Sequence, residues 1–73
     1  MGNRHRNEII ASILQSVLNA RAYYGIRITQ IMYNSFLSYA TLIHYLKLLT
    51  ENGSLEYYGP NKTYRITDKG LLF

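Results

Sequence analysis

Residues 29–53 read TQIMYNSFLSYATLIHYLKLLTENG and contain two short amphipathic patterns on either side of a break at residues 34–38. In the second pattern, apolar residues recur with the spacing of one helix face. They are Leu42, Tyr45, Leu46 and Leu49. Ser38 stands just before the run, where its hydroxyl can accept a hydrogen bond from an amide that a helix start leaves unpaired, and Gly53 follows as a stop signal. We therefore predict a helix over residues 39–52.

The first pattern predicts a shorter helix, which is capped by Thr29 and runs from about Gln30 to Tyr33 or Ser35. We expect Met32 to fill the core, and Phe36 and Leu37 to pack in the turn that follows. Two short helices with a tight connection form a helix-turn-helix, whose second helix is most often presented to the DNA major groove.

The chain before this motif predicts a basic arm, a helix and a very short strand. Residues 1–6 are polar and basic, so we expect a flexible arm, or one that contacts phosphate or a minor groove. A helix should follow Asn7 as its N-cap, fray over residues 21–24 and end by Gly25. Ile26 and Ile28 then flank an outward Arg27 in a short strand. The expected apolar face of the helix comprises Ile9, Ile10, Ile13, Leu14, Val17 and Leu18.

After Gly53 the hydrophobic period changes from helical to alternating, which predicts a β-hairpin over residues 55–58 and 63–67 with a turn at 59–62. Glu56 and Arg65 should pair on the outside of this hairpin. Thr67 then caps a short C-terminal helical turn. The expected cross-strand pairs are Leu55 with Ile66, Glu56 with Arg65, Tyr57 with Tyr64, and Tyr58 with Thr63. The residues expected to face the helices are Leu55, Tyr57, Tyr64 and Ile66.

Length and composition point to one small domain with an affinity for polyanions. The chain has 73 residues, no cysteine and a formal net charge of +4. It therefore has neither a disulfide framework nor a Cys/His spacing for zinc, and we expect no metal and no cofactor. The N-terminal apolar pattern is interrupted by polar residues, unlike a signal peptide, and no run approaches the length of a membrane span. A cytoplasmic location fits these features best.

An enzyme is the weakest of the functional hypotheses. The chain offers no cysteine nucleophile, its four carboxylates are scattered, and it has no glycine-rich phosphate loop. The two histidines, His5 and His44, fall in the arm and on the third predicted helix. We therefore expect no enzymatic activity, no membrane association and no small-molecule ligand.

Three stretches together resemble a known group of proteins. They are RNEIIASIL at residues 6–14, TQIMYNSFLSYATLIHYLKLLTENGSLE at 29–56 and TYRITDKGLLF at 63–73. These stretches closely resemble archaeal winged-helix regulators of the ArnR-like family, which are related to the small Sso-type archaeal chromatin proteins. The resemblance implies an α+β, mainly helical fold in which a winged helix-turn-helix occupies residues 7–73, with three helices, a β-hairpin wing and a short C-terminal helical turn.

The resemblance also implies double-stranded DNA as the partner. Many members carry a longer C-terminal helix that makes a dimer, and they commonly have an apolar residue where Ser54 stands. One such module buries about 600–1,000 Å² on DNA, which is small for tight specific binding, so a homodimer is expected. Candidate dimer contacts are Tyr23, Tyr24, Leu71, Leu72 and Phe73. The expected DNA-binding residues are Thr29, Gln30, Ser38, Tyr39, Thr41, His44 and Lys47 on the helices, with Asn61, Lys62 and Arg65 on the wing.

Two functional hypotheses stay open at this point. The first is a DNA-binding transcriptional regulator, and the second is a winged-helix protein–protein docking module that does not bind DNA. Ile43 is relevant to both, because this outward apolar side chain could contact a thymine methyl group, a neighbouring element or a second subunit.

Overall fold

A computed structural model describes residues 5–19 and 25–72 of the chain. Its helices are α1 (Arg6–Asn19), α2 (Ile28–Ser35), α3 (Tyr39–Glu51) and α4 (Asp68–Leu71). Its strands are β1 (Ile26–Arg27), β2 (Leu55–Tyr58) and β3 (Thr63–Ile66). This element order confirms the predicted α+β, mainly helical architecture of three helices, a hairpin and a short final helix.

The start of α1 differs from the prediction. The helix begins at Arg6, inside the predicted arm, and Asn7 lies within its first turn instead of capping it. The reason is that Glu8 reaches back to the chain before the helix, because the His5 backbone N–H donates to Glu8 Oε1 at 3.0 Å. This contact is the glutamate half of a capping box. The predicted fraying over residues 21–24 lies outside the described residues.

The start of α2 also differs from the prediction. Arg27 is the N-cap, with an extended backbone and no side-chain cap hydrogen bond, so Thr29 lies in the first turn and is not the cap. Ile28, predicted as a strand residue, is the first residue of the helix. The cause is tertiary, since pairing of Arg27 with Thr63 holds the chain extended up to the residue where the helix begins.

The start and end of α3 match the sequence signals. The Ser38 hydroxyl accepts a hydrogen bond from the Thr41 backbone N–H at 3.3 Å, which confirms the predicted cap. At the other end, Gly53 has a φ of +86°, a left-handed conformation that glycine adopts without steric cost. The helix therefore begins and ends where local chemistry favours it.

The three strands form one antiparallel sheet in the order β1-β3-β2. The hairpin has the predicted register, in which Tyr57 pairs with Tyr64 and Glu56 with Arg65. Pairing of β1 with β3 was not predicted, and it places Gly25 directly against the sheet. A Cβ atom on Gly25, whose φ is +90°, would overlap the Tyr64 carbonyl oxygen. Only glycine allows this approach, so the residue predicted to end α1 also allows β1 to pair with β3.

The core lies between α1, α2, α3 and the inner face of the sheet. Its buried apolar members are Ile10, Ile13, Leu14, Val17, Ile26, Ile31, Leu42, Leu46, Leu49 and Leu55. Met32, Leu37 and Tyr45 are partly buried against this core, as are Tyr64 and Ile66 of the hairpin. Burial of the predicted face of α3, and of that of α1 apart from Leu18, confirms their helical phase.

Three residues expected to be buried are exposed instead. Phe36 is 91% exposed, because the left-handed backbone at this residue, with φ 56°, directs the chain out of α2. Tyr57 is 52% exposed because it lies nearer the hairpin turn than Leu55, which shares its face of β2 and is buried in the core. Leu18 is 45% exposed and borders a surface groove instead of entering the core.

Helix α4 packs on Ser54, in the short connection between α3 and β2. Thr67 caps it as predicted, since its hydroxyl accepts from the Gly70 backbone N–H at 3.1 Å. The Thr67 backbone N–H donates to the Ser54 carbonyl oxygen at 3.1 Å. Ser54 is buried, and a Cβ atom on Gly70 would overlap the Ser54 carbonyl oxygen. Small residues at both positions therefore allow α4 to lie directly on the backbone.

Leu46 is 1% exposed, so we expect Leu46→Ala to destabilise the domain by about 2–5 kcal/mol through lost burial and the cavity that remains. Urea denaturation of the wild type and the variant measures this difference. Lys47→Ala is the matched control, because the neighbouring side chain is exposed. Equal destabilisation by both variants would contradict the assigned phase of α3.

Candidate nucleic-acid interface

The solvent face of α3 is the central feature of the candidate site. Tyr39, Ile43 and Lys47 follow one another at intervals of four residues, and all three are exposed. The eight residue steps from Tyr39 to Lys47 span about 12 Å along the helix, and the major groove is wide enough to admit an α-helix. His44 is also exposed on this helix, and its ring lies edge-on to that of Tyr45 at a centroid distance of 5.3 Å. The face thus combines aromatic, imidazole and ammonium groups.

Ser38 and Thr41 stabilise the start of this face. Besides capping the helix, the Ser38 hydroxyl donates to Thr41 Oγ1 at 3.0 Å. This hydrogen bond therefore orients both hydroxyl groups in the free protein. Ser38 is exposed and Thr41 is half-buried, so of the two Ser38 is the more accessible.

Thr29 and Gln30 lie together in the first turn of α2, and both are exposed. The N-cap of this helix supplies no side-chain acceptor. The first amides of a helix point outward and carry partial positive charge, so such a turn favours a phosphate oxygen. These two residues therefore suit a contact with the DNA backbone.

The hairpin turn presents the wing residues. The Lys62 backbone N–H donates to the Gly59 carbonyl oxygen at 3.1 Å, which closes a turn with Pro60 and Asn61 at its centre. Lys62 is exposed and has a φ of 55°, while Asn61 is half-buried. Four-residue hairpin loops are commonly built around such a turn, so the wing holds its lysine in a defined position.

Arg65 is held by an ion pair on the outer face of the sheet. Its Nη2 atom lies 3.1 Å from Glu56 Oε1, as the hairpin register predicted. Both side chains are accessible to solvent, so the pair contributes at most about 1 kcal/mol to stability. Its larger effect is to lower the net positive charge beside the wing.

Sequence reasoning did not assign Arg27 to the site, although it predicted that this residue faces out. Arg27 pairs with Thr63 across β1 and β3, and Thr63 is two residues from Arg65 on β3. Arg27 and Arg65 therefore share one face of the sheet. Only the pairing of β1 with β3 brings them together, and the local pattern around Arg27 does not reveal it.

Two tyrosines of the wing pack together near the start of α3. The rings of Tyr57 and Tyr64 are 5.0 Å apart between centroids, in a tilted arrangement. Burial raises the pKa of the Tyr64 phenol, and negative charge on Tyr57 and then on Tyr39 would raise it further. Tyr39 is thus close enough to interact with a hairpin residue that follows it by 25 positions. Tyr57 and Tyr64 thus pack across the two strands of the wing, with Tyr39 of α3 nearby.

The described residues carry few features of other functional classes. Residues 5–19 and 25–72 contain no group of three or more His, Cys, Asp or Glu side chains that could hold a metal ion. Among the same residues, no helix has the length and apolar character needed to cross a membrane. Every buried side-chain nitrogen or oxygen in this part of the chain has a hydrogen-bond partner.

The fold and this surface define a winged helix-turn-helix protein, with α2 and α3 as the motif and the β2–β3 hairpin as the wing. A model of the winged helix-turn-helix family matches residues 3–73, and the chain belongs to that family. No curated protein and no solved structure matches the chain significantly. Domains of this class are typically DNA-binding modules and not enzymes.

The burial of Tyr64 predicts that the stability of the domain depends on pH. Its phenol has a pKa above 10.0 in the folded chain, so above pH 10 the unfolded chain binds fewer protons than the folded one at this group. Stability should therefore fall as the pH rises through this range. We expect Tyr64→Phe to reduce the loss, as measured by urea midpoints between pH 8 and pH 11. Tyr33→Phe, at an exposed position, is the control, and an equal effect there would contradict the assignment.

Proposed function

We propose that this winged helix-turn-helix protein is a DNA-binding transcriptional regulator. The observation that carries this proposal is the arrangement of α3 and the wing, in which an exposed helix face with Tyr39, His44 and Lys47 lies beside a hairpin bearing Lys62 and Arg65. Helix α3 would enter the major groove, while the wing would lie along the adjacent backbone or minor groove.

The charge distribution supports different roles for the sheet and for α3 in binding DNA. Lys62, Arg65 and Arg27 lie on the sheet and its turn, where they would supply sequence-independent attraction to phosphates. Thr29 and Gln30 would contact the backbone at the start of α2. The α3 residues Tyr39, Thr41, His44 and Lys47, together with the cap Ser38, would contact bases or the groove walls.

We further propose a homodimer, because one module covers little DNA. A groove of about 440 Å³ supports this idea on the side of the molecule formed by α1 and α4. Leu18 and Leu71 line it, and the neighbouring Leu72 is 87% exposed. Apolar side chains of this size are costly to leave in water, so a second subunit would gain by covering them. Of the other predicted dimer contacts, Tyr23, Tyr24 and Phe73 lie outside the described residues.

The proposal extends to the group of regulators, the cellular location and the division of the chain. On the sequence resemblance, we place the protein among archaeal ArnR-like regulators acting in the cytoplasm, with residues 1–6 as a basic arm and residues 7–73 as the DNA-binding domain. Within the arm, only His5 and Arg6 are described, and Arg6 already belongs to α1. The arm would contribute positive charge near the DNA.

A protein-docking module is the second candidate, and one observation favours it. Residues 28–46 contain no Asp, Glu, Lys or Arg, yet Tyr33, Phe36 and Tyr39 are exposed there. Protein interfaces are often enriched in aromatic residues and depleted of charge at their centre. The two candidates differ in their response to salt, because counterion release dominates only the binding of nucleic acid.

The proposed function is tested by fluorescence anisotropy on random-sequence duplex DNA over a salt series. Each phosphate contact contributes a log–log slope of about −0.9, so Lys62→Gln should weaken binding and make the slope less steep by about one unit. Lys69→Gln is the matched control. Lys69 donates to the Asn52 carbonyl oxygen at the end of α3, about 20 Å along the helix from its start. Failure of the wild type to bind DNA at low salt would contradict the proposal.

The ion pair on the wing allows a second test, in which the variant is expected to bind DNA more tightly than the wild type. Glu56→Gln releases Arg65 from its carboxylate partner, so we expect tighter DNA binding and a steeper salt dependence. The control is Glu51→Gln, which removes the same charge from the exposed end of α3. If both variants gain equally, the effect is one of net charge, and Arg65 does not contact phosphate.

A further inference from the structure

One segment of the chain contributes no charged side chain to the surface although the protein is basic. It is formed by α2, the turn after it and the first two turns of α3, and residues 28–46 contain no Asp, Glu, Lys or Arg. Its large exposed side chains are Tyr33, Phe36, Tyr39 and Ile43. This uncharged surface includes the start of the proposed recognition helix, so its chemistry decides which base pairs that part of the helix can read.

The residue types on this surface favour A·T pairs over G·C pairs. In the major groove, guanine is read mainly by Arg or Lys and cytosine by Asp or Glu, whereas thymine offers a C5-methyl group to apolar side chains. The uncharged surface lacks all four charged types and presents apolar groups instead. Lys47 is the first cation along α3, and it lies beyond this surface.

Phe36 is the most unusual residue of the uncharged surface. A phenylalanine is 91% exposed here at a φ of 56°, a conformation in which glycine or asparagine is the usual choice. The chain cannot readily relax on either side. The buried Ser35 hydroxyl donates to the Ile31 carbonyl oxygen, and Ser38 caps α3. The turn thus holds an apolar ring in water on a strained backbone.

Phe36 is also close to the start of the recognition helix. Its Cα atom lies within about 8 Å of that of Ser38, because two peptide units separate them. A side chain at this distance from a helix seated in the major groove can reach the base edges, where the thymine methyl groups project. Ile43 continues the apolar surface one helical turn after Tyr39.

We propose that Phe36, assisted by Ile43, contacts thymine C5-methyl groups, so that the protein prefers A·T-rich duplexes. This inference rests on the proposed DNA binding and adds the class of sequence that is read. It also accounts for a strained, exposed phenylalanine, because that ring is buried once DNA is bound.

The test compares two duplexes of about 20 base pairs with the same alternating A·T sequence, one with thymine and one with deoxyuridine, which lacks only the methyl group. Anisotropy should show about fourfold tighter binding of the thymine duplex by the wild type for each methyl group contacted. Phe36→Asn should bind both duplexes with more nearly equal affinity, while its salt slope stays the same because no phosphate contact is lost.

The same variant should show a higher Tm than the wild type, because asparagine tolerates the left-handed backbone and the phenyl ring buries little in the free protein. This measurement also establishes that the variant is folded. Leu72→Asn is the matched control, since it removes an exposed apolar side chain at the C-cap of α4. Its ratio of thymine to uracil affinities should equal that of the wild type, even if the change alters dimerisation.

Three results would overturn the inference. If the wild type bound both duplexes equally and with normal salt dependence, the protein would bind DNA without recognising thymine methyl groups. An unchanged thymine preference in Phe36→Asn would remove Phe36 from the contact. A changed molar mass in light scattering with an unchanged preference would assign Phe36 to a protein interface. Failure of the wild type to bind any duplex at low salt would instead overturn the proposed function itself.

Discussion

The buried face of α3 is the constraint on which the proposed site depends. Leu42, Leu46 and Leu49 are almost completely shielded from solvent, so the rotation of this helix about its axis is fixed by the core. The opposite face must then be exposed, which places Tyr39, Ile43 and Lys47 on the surface. The orientation of the candidate recognition residues is therefore a consequence of apolar burial and needs no interaction among those residues themselves.

The sheet fixes the position of the wing, as the core fixes the orientation of α3. Strand β3 pairs with both β1 and β2, so the hairpin is attached on one side to the chain entering α2. The contact between the Tyr57 and Tyr64 rings lies within the hairpin, and Leu55 of the hairpin shares the core with the buried leucines of α3. The two parts of the proposed interface are thus held in a fixed relation by backbone pairing and by the shared core.

Much of the fold could be predicted because its signals are local. The Ser38 cap, the Gly53 stop and the hairpin register all follow from residue types within a few positions of one another, and the structure confirms each of them. Interactions between distant residues are less visible in a linear pattern. The start of α2, for instance, depends on pairing between Arg27 and Thr63, which are 36 positions apart.

The sequence by itself determined the order of the elements, the inward face of α3 and the pairing of the hairpin, because helical and alternating periodicities report which side of each element is apolar. Only the tertiary structure decided the exposure of Phe36, the position of Tyr57 on an edge strand and the shared face of Arg27 and Arg65. Each of these depends on what neighbouring elements cover, which the local pattern of apolar and polar residues does not specify.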